Sequence, residues 1–474
     1  MKKNLDKITE QELKAFVLQY SKIRKDFKSE FELYFASKNE NFDVERALRD
    51  QIRKSIKKYS KWNFIDYAAS NNLGRELGHV IKQGQQYLAQ NNLLDAFLFC
   101  KVYIKETVLI ISFADDSNGY IGDAIIRGIE LLIDLTSAAP IPLKEKILHF
   151  IEQEVQDNVY FEYGDFGYKM IDIYADLSIE LNREQQYINC INDLIKKALD
   201  NKDAYKYEYF VFDLIQFYRD TNKSSAADQL IQSNMHLSNV RKFVVQDLIE
   251  QSQFVKAKML LNEGIEIANK KGLNGVVLMW EKLLLHVAES QNDIKTSRAY
   301  LERFAFESSF NNEFYKKWKN TFSEKEWAAV IESKISSIES NILNKLKSLT
   351  FRKPDYLLLL SLGPIFIEER MDNRLLELLK KQTELNAVLT YHAHMCKIYP
   401  EDLIKIYLPL LELDAASASE RSDYKRLLQI VCMINKDIPS SFKSLANLIQ
   451  RWKSVYKRRP AMLDEINSII DRLV

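Results

Sequence analysis

The chain has 474 residues, with Lys plus Arg at 67 against Asp plus Glu at 66, and only 12 Gly and 8 Pro. That length exceeds one ordinary core and predicts several packed units. A net charge of +1 excludes a molecule that acts as a whole as a polycation or an acidic mimic. The shortage of turn residues excludes a sheet-rich fold.

Hydrophobic residues at 46% and aromatic residues at 11% exclude a disordered chain. No proline falls between Pro142 and Pro354, so that stretch can hold many helices with short connections. Cys100, Cys190, Cys396 and Cys432 form no C-x-x-C pair and read as reduced thiols in apolar helical settings. The segment "MKKNLDKITEQELKAF" lacks an apolar signal core. Runs such as "YLLLLSLGPIFI" (356–367) are too short to span a bilayer. The expectation is a cytoplasmic protein with no membrane segment.

In chain order, "ITEQELKAFVLQYSKIRKDF" opens with Thr9 and Glu12 at the spacing of a capping box. "DVERALRDQIRKSIKKYSKWNFIDYAASNN" reads as helical, with Ala47, Ile52 and Ile56 on one face. Its Arg53, Lys54, Lys57, Lys58 and Lys61 read as a solvated face, with phosphate binding as the alternative. In the stretch 77–110, Gly84, Tyr87 and Ala96 take the small–large–small positions of a tetratricopeptide-like hairpin, and "QNN" (90–92) supplies its turn.

"FADDSNGYIGDA" (113–124) has the look of a calcium loop. With Gly119 at the sixth position of an EF-hand, Asp116 and Asn118 fall on the third and fifth. The first position is then Ala114 and the twelfth Ile125, so both anchoring ligands are missing. The stretch reads instead as an elbow in which Asp116 or Ser117 caps the next helix and Gly119 permits the bend. "YGDFG" (163–167) lacks the companions of a kinase motif and reads as a turn.

Two further hairpins follow, at 244–272 with turns near Ser252 and Gly272, and at 280–308 with a turn at "SQND". Each leaves an apolar face that only a neighbouring hairpin covers. "KPDY" (353–356) and "GP" (363–364) mark a change of segment, followed by shorter helices to the end. The organisation expected is 1–40, N-terminal helices; 41–200, a first helical repeat unit; 201–350, further tetratricopeptide-like repeats; and 351–474, a C-terminal unit. The fold class is all-α, an α-solenoid of antiparallel helix pairs in a tetratricopeptide-like superhelix.

Two places in the last part carry candidate chemistry. "YHAHMCKIY" sets His392 and Cys396 four apart on one helical face, without the further ligands a closed metal site needs. "LIQRWKSVYKRRP" is basic: from Ile438 to Leu463 there are Lys443, Arg451, Lys453, Lys457, Arg458 and Arg459 and no acid. Arg451, Lys453, Lys457, Arg458 and Arg459 are the candidate nucleic-acid contacts, with Trp452 and Tyr456 available to stack bases. The other reading makes Trp452 core and the cations a solvated face. No nucleophile elbow, P-loop or dinucleotide fingerprint occurs, so no catalytic residue, cofactor or metal is expected.

"YPEDLIKIYLPLLE", "ERSDYKRLLQIVCMI" and "LIQRWKSVYKRRPAMLDEI" together resemble the helical C-terminal region of bacterial SWIM zinc-finger proteins. Arg421, Tyr424, Arg458, Arg459, Pro460 and Ala461 match that pattern, with Met462 in place of its leucine. "FYKKWKNTFSEKEWAAV" (314–330) is similar to the segment before it, with Trp327 at the matching tryptophan. "DDSNGYIGD" and "YFEYGDFGYKMIDIYADL" are similar to its middle portion. The zinc motif itself, C-x-C followed by C-x-H, is absent. The resemblance therefore implies the helical scaffold without its zinc finger, and the family's nucleic-acid binding is not carried over. The grooves of stacked helix pairs point to a scaffold that binds a protein partner, with nucleic-acid binding by the basic C-terminal helix as the alternative.

Overall fold

A computed structural model describes residues 8–35, 43–307, 309–346 and 354–473. Among them every regular element is helical: 26 α-helices and two short 3₁₀ segments, with isolated bridges in place of strands. Helices pack chiefly on those one or two places away along the chain. That is the contact pattern of a quasi-one-dimensional stack, so the protein is an all-α solenoid of tandem helices. The chain divides into two compact units, Met1–Glu250 and Gln251–Val474. The breaks expected at 40/41 and 350/351 lie outside the described residues.

The turns explain the regularity. Asn91, Asn182, Lys202, Asn222, Gly272, Asn292 and Arg370 all have φ between 54° and 69°. Each lies just past a helix end, and the next residue's N–H reaches back to the last turn. Examples are Asn92 to Tyr87 O at 2.8 Å, Lys223 to Tyr218 O at 2.7 Å and Asp293 to Ala288 O at 2.9 Å. This is the Schellman stop, which favours Asn or Gly because a left-handed residue must follow the helix. Positions 182, 202 and 222, and again 252, 272 and 292, recur every 20 residues. A helix pair thus occupies 40 residues there, against about 34 in a tetratricopeptide repeat.

In the first unit, helices Tyr67–Ala89 and Leu93–Val108 form the hairpin expected at 77–110. Gly84, Tyr87 and Ala96 are buried in it. A Cβ on Gly84 would sit 2.5 Å from Phe99 and 2.6 Å from Leu131. No side chain fits there, which is why the helices can close. The Thr9 capping box also forms, with Thr9 N donating to Glu12 Oε2 at 2.9 Å and Glu12 N to Thr9 Oγ1 at 3.3 Å.

The helix expected across 43–72 breaks. It runs Val44–Tyr59, and a second begins at Tyr67. Between them Lys61 and Phe64 exchange backbone hydrogen bonds of 2.8 and 3.0 Å around Trp62 and Asn63, whose φ values are 54° and 58°. A two-residue turn of this kind needs positive φ at both centres. Asn63 suits it. Trp62 does not, at a cost of about 1–2 kcal/mol, and its side chain is fully exposed at 101%. Trp62→Asn is therefore expected to stabilise the protein by about 1 kcal/mol. A lower melting temperature for the variant would contradict this account.

In the second unit, Trp280, Tyr315, Trp318 and Trp327 are all buried. The stretch 373–399 divides into three pieces, Asp372–Lys380, Leu385–Leu389 and His392–Met395. Helices Pro400–Ser417, Arg421–Asp437, Phe442–Val455 and Pro460–Leu473 complete the unit. No described helix is long and apolar enough to cross a membrane.

Candidate interaction surfaces

The loop at 113–124 and the turn at 163–167 line the same cleft. The 113–124 loop is fixed first by its neighbour: Ile65 N donates to Phe113 O at 3.0 Å and Asp115 N to Ile65 O at 2.9 Å. Asp116 then accepts from the N–H groups of Ile121 at 2.9 Å and Gly122 at 2.8 Å, and from Ser70 Oγ at 3.3 Å. These are orphan donors of the helix Tyr120–Ala138. Gly119 enters that helix at φ 73°, in the left-handed region. Asn118 holds Tyr67 Oη at 2.5 Å and Asn71 at 3.3 Å. Asp115 is held below the usual carboxylate range by the hydroxyl and backbone N–H of Ser117.

The loop is an elbow, and Asp116 is its cap. Asp116→Ala is expected to cost about 1–2 kcal/mol, read as a lower melting temperature that calcium does not restore. A calcium-dependent rise in the wild-type melting temperature that vanishes in the variant would mean the loop holds a metal. Among the described residues, no group of three or more His, Cys, Asp or Glu is placed to hold a metal.

The elbow and the turn at 163–167 line one cleft of ≈ 510 Å³, to which Asp116, Asp123, Tyr163, Asp165 and Lys169 contribute. A second, of ≈ 430 Å³, shares Gly164 and Asp165 and adds Phe161, Glu162, Tyr168, Asp203, Tyr205 and Lys206. Tyr168 and Tyr205 have ring centroids 6.3 Å apart, and Phe161 and Tyr168 5.0 Å. Burial, then the nearby Tyr205, Asp203 and Asp165, push the Tyr168 hydroxyl up to about 12, so it stays a neutral donor. Lys206 is already engaged, 2.5 Å from Asn158 Oδ1 and 3.6 Å from Asp203. The carboxylates of Asp123 and Asp165 make no hydrogen bond or ion pair to a described residue. Tyr205 is 69% exposed. A carboxylate in one cleft with the open ring of Tyr205 suits a cationic side chain. The sequence marked both loops but gave no sign that they meet, because 116 and 165 come together only through helix packing.

Two of the five basic C-terminal candidates are engaged within the fold. Arg451 pairs with Glu412. Arg459 donates to the carbonyls of Ala415 and Ala418, both at 2.9 Å, and of Ala416 at 3.2 Å, capping the helix Pro400–Ser417. Its guanidinium lies 4.6 Å from the Tyr456 ring centroid. Lys457 and Arg458 are exposed and Lys453 is half-buried. Trp452 is buried at 2% in the core, so it offers no face for a base. Of the matched positions in the SWIM-like stretch, Arg421 pairs with Glu465 at 2.7 Å and Tyr424 donates to Ser419 O at 3.3 Å.

His392 is buried between Tyr407 Oη at 3.0 Å and Asp437 Oδ2 at 3.2 Å, while His394 meets Asp372 at 2.6 Å. Cys396 is half-buried. The pair read four apart across a helical face straddles the end of the short helix His392–Met395.

These elements define an all-α tandem-repeat protein. A scan against protein-family models finds no match, and a search of curated proteins finds no relative. Among solved structures, the chain is similar to one titled "Circular tandem repeat protein with novel repeat topology and enhanced subunit contact surfaces". Identity is 12% and the TM-score 0.21, over 91% of this chain and 95% of that one.

Proposed function

We propose that this chain is a non-catalytic helical-repeat scaffold that holds a protein partner through basic side chains seated in the adjoining clefts of the first unit. The observation that supports this is the open carboxylate of Asp165, shared by both clefts, in one cleft with the exposed ring of Tyr205 and in the other with the open carboxylate of Asp123. An arginine or lysine of a partner would supply the missing charge and lie against that ring. Helix-pair repeats suit this role because successive pairs present a continuous surface. The proposal places the protein in the cytoplasm, as one subunit of a larger complex. Its resemblance to the SWIM-protein scaffold adds a separate zinc-finger chain as a candidate partner.

The test is affinity capture from native cells with three baits, wild type, Tyr205→Ala and Asp165→Lys, compared by quantitative mass spectrometry. Proteins retained by the wild type and lost from both variants are partners of the clefts. Identical retained sets for all three baits would end the reading.

A further inference from the structure

A groove of ≈ 820 Å³ lies along helices Val44–Tyr59 and Tyr67–Ala89, on the basic run of the first unit. Between Val44 and Lys61 there are seven Lys or Arg and two acids. The structure sorts these cations. Arg49 and Arg53 are spent on Glu106, at 3.1 and 2.8 Å. Lys58 is spent on Glu76, at 2.8 Å, and the Glu76 carboxylate is further held by Ser55 and Tyr59. Of that run Lys54 remains in the groove, joined by Arg24 and Lys82 from outside it, each exposed and with no ion pair to a described residue. Glu76, the one acid lining the groove, is already neutralised, so the lining presents net positive charge.

Two other features narrow the ligand. The groove is also lined by the amides of Gln51, Gln83 and Gln86. Each of these amides offers a carbonyl acceptor as well as N–H donors. A lipid phosphate or an acidic side chain brings only acceptors, whereas a nucleobase brings N–H donors as well. The second feature is Trp62, held on its strained turn just beyond the end of the groove helix. It is fully exposed, and Lys61, with no ion pair to a described residue, precedes it in the chain. The other four tryptophans, Trp280, Trp318, Trp327 and Trp452, are all buried. An indole displayed in water at a conformation its residue type disfavours, beside an unpaired cation, is a stacking platform.

We infer that this groove binds single-stranded nucleic acid, with phosphates on Arg24, Lys54 and Lys82 and a base stacked on Trp62. The inferred surface lies in the first unit; in the C-terminal run Lys453, Lys457 and Arg458 are unpaired as well, but Arg451 and Arg459 are engaged within the fold and Trp452 is buried, so no exposed indole stands beside them. A groove that follows two helices suits a strand, whereas a bilayer surface calls for a flat or convex face.

Fluorescence anisotropy with a labelled oligothymidylate of about 12 nucleotides tests this on the full chain. Three phosphate contacts predict a slope of log K against log salt of about −2. Lys54→Gln with Lys82→Gln should reduce that slope to about −0.7. Trp62→Ala should weaken binding about 5- to 150-fold and leave the slope unchanged, while Trp62→Phe keeps most of the affinity. Because Trp62 is exposed, circular dichroism should show both tryptophan variants folded. Acrylamide quenching of the one open tryptophan should fall when the oligonucleotide binds. No binding at low salt overturns the inference, as does affinity indifferent to Trp62→Ala. Equal affinity for inorganic polyphosphate removes the stacking role and with it the strand. Displacement of the oligonucleotide by phosphatidylserine vesicles at equal charge assigns the surface to a membrane instead.

Discussion

Glu369→Ala is expected to destabilise the second unit by about 3–5 kcal/mol. The Glu369 carboxylate is 8% exposed and sits where three side chains converge. Tyr315 Oη donates to it at 2.8 Å, Trp327 Nε1 at 2.9 Å and Lys319 Nζ at 2.9 Å to each oxygen. Tyr315 and Trp327 are buried, so removing the carboxylate strands two donors where water does not reach. Each stranded donor costs about 1–3 kcal/mol. Lys319 is 38% exposed and can turn to solvent, so its share of the loss is the smallest. Burial, and then the hydrogen bond to Glu369, hold the Tyr315 hydroxyl well above the usual phenol range, so it remains a donor. Glu369→Gln keeps an acceptor in place and should cost less than half as much. Urea unfolding followed by tryptophan fluorescence reads both variants. A Glu369→Ala curve within 1 kcal/mol (roughly, in the range of ordinary surface substitutions) of the wild type would contradict the convergence.

Asp213→Asn is expected to stabilise the first unit above pH 7 by about 2–4 kcal/mol and to flatten its pH dependence. Burial pushes the Asp213 carboxyl up to about 7; the hydrogen bond from Tyr187 opposes this and the Asp172 carboxylate adds to it. The Tyr187 ring that carries the donor is itself fixed by stacking on Phe217, with centroids 4.1 Å apart. The sign follows from the proton count. Below the ordinary carboxylate value both folded and unfolded chains hold the proton, and wild type and variant should match. From there up to about pH 7 the folded chain keeps a proton that the unfolded chain has released, so wild-type stability falls as pH rises. Above that the loss is complete. Each tenfold step in acidity is worth about 1.4 kcal/mol, reduced here because water reaches part of the site. Asparagine still accepts from Tyr187 and cannot ionise, so it escapes the loss. Melting temperatures of both proteins from pH 4 to 8 (roughly the window between the two carboxyl values) check this. A wild-type stability that rises with pH through that window would reverse the assignment.

Much of the architecture was legible in the sequence because it rests on local rules. Asn91, Gly272 and Asn292 mark turns since few other residues tolerate the left-handed position that ends a helix there. Gly84, Tyr87 and Ala96 identified a hairpin since the spacing of small and large residues is set by how closely two helices approach. Thr9 and Glu12 cap as their spacing requires. Lys202 and Arg370 occupy the same left-handed position without a sequence signal, because the helices on either side hold them there, while the turn read near Ser252 has Ser252 itself at φ 57°. The break at Trp62 was missed although "SKWNFID" (60–66) is poor in strong helix formers, and the pairing of Ile65 with the loop at 113–115 holds it open.

The surfaces belong to tertiary structure alone. A charge in sequence is a candidate contact until packing decides whether a partner within the chain takes it. Arg451 and Arg459 are taken by Glu412 and by three helix-end carbonyls, while Arg24, Lys54 and Lys82 are left open. Asp116 and Asp165, 49 positions apart in the chain, share a cleft because successive helices stack. Asp213 becomes a titrating group because the fold buries it near Asp172. Local preference fixes where helices start and stop within a few residues. Which side chains then meet depends on the register of one helix against the next, and that is set by core packing within each unit.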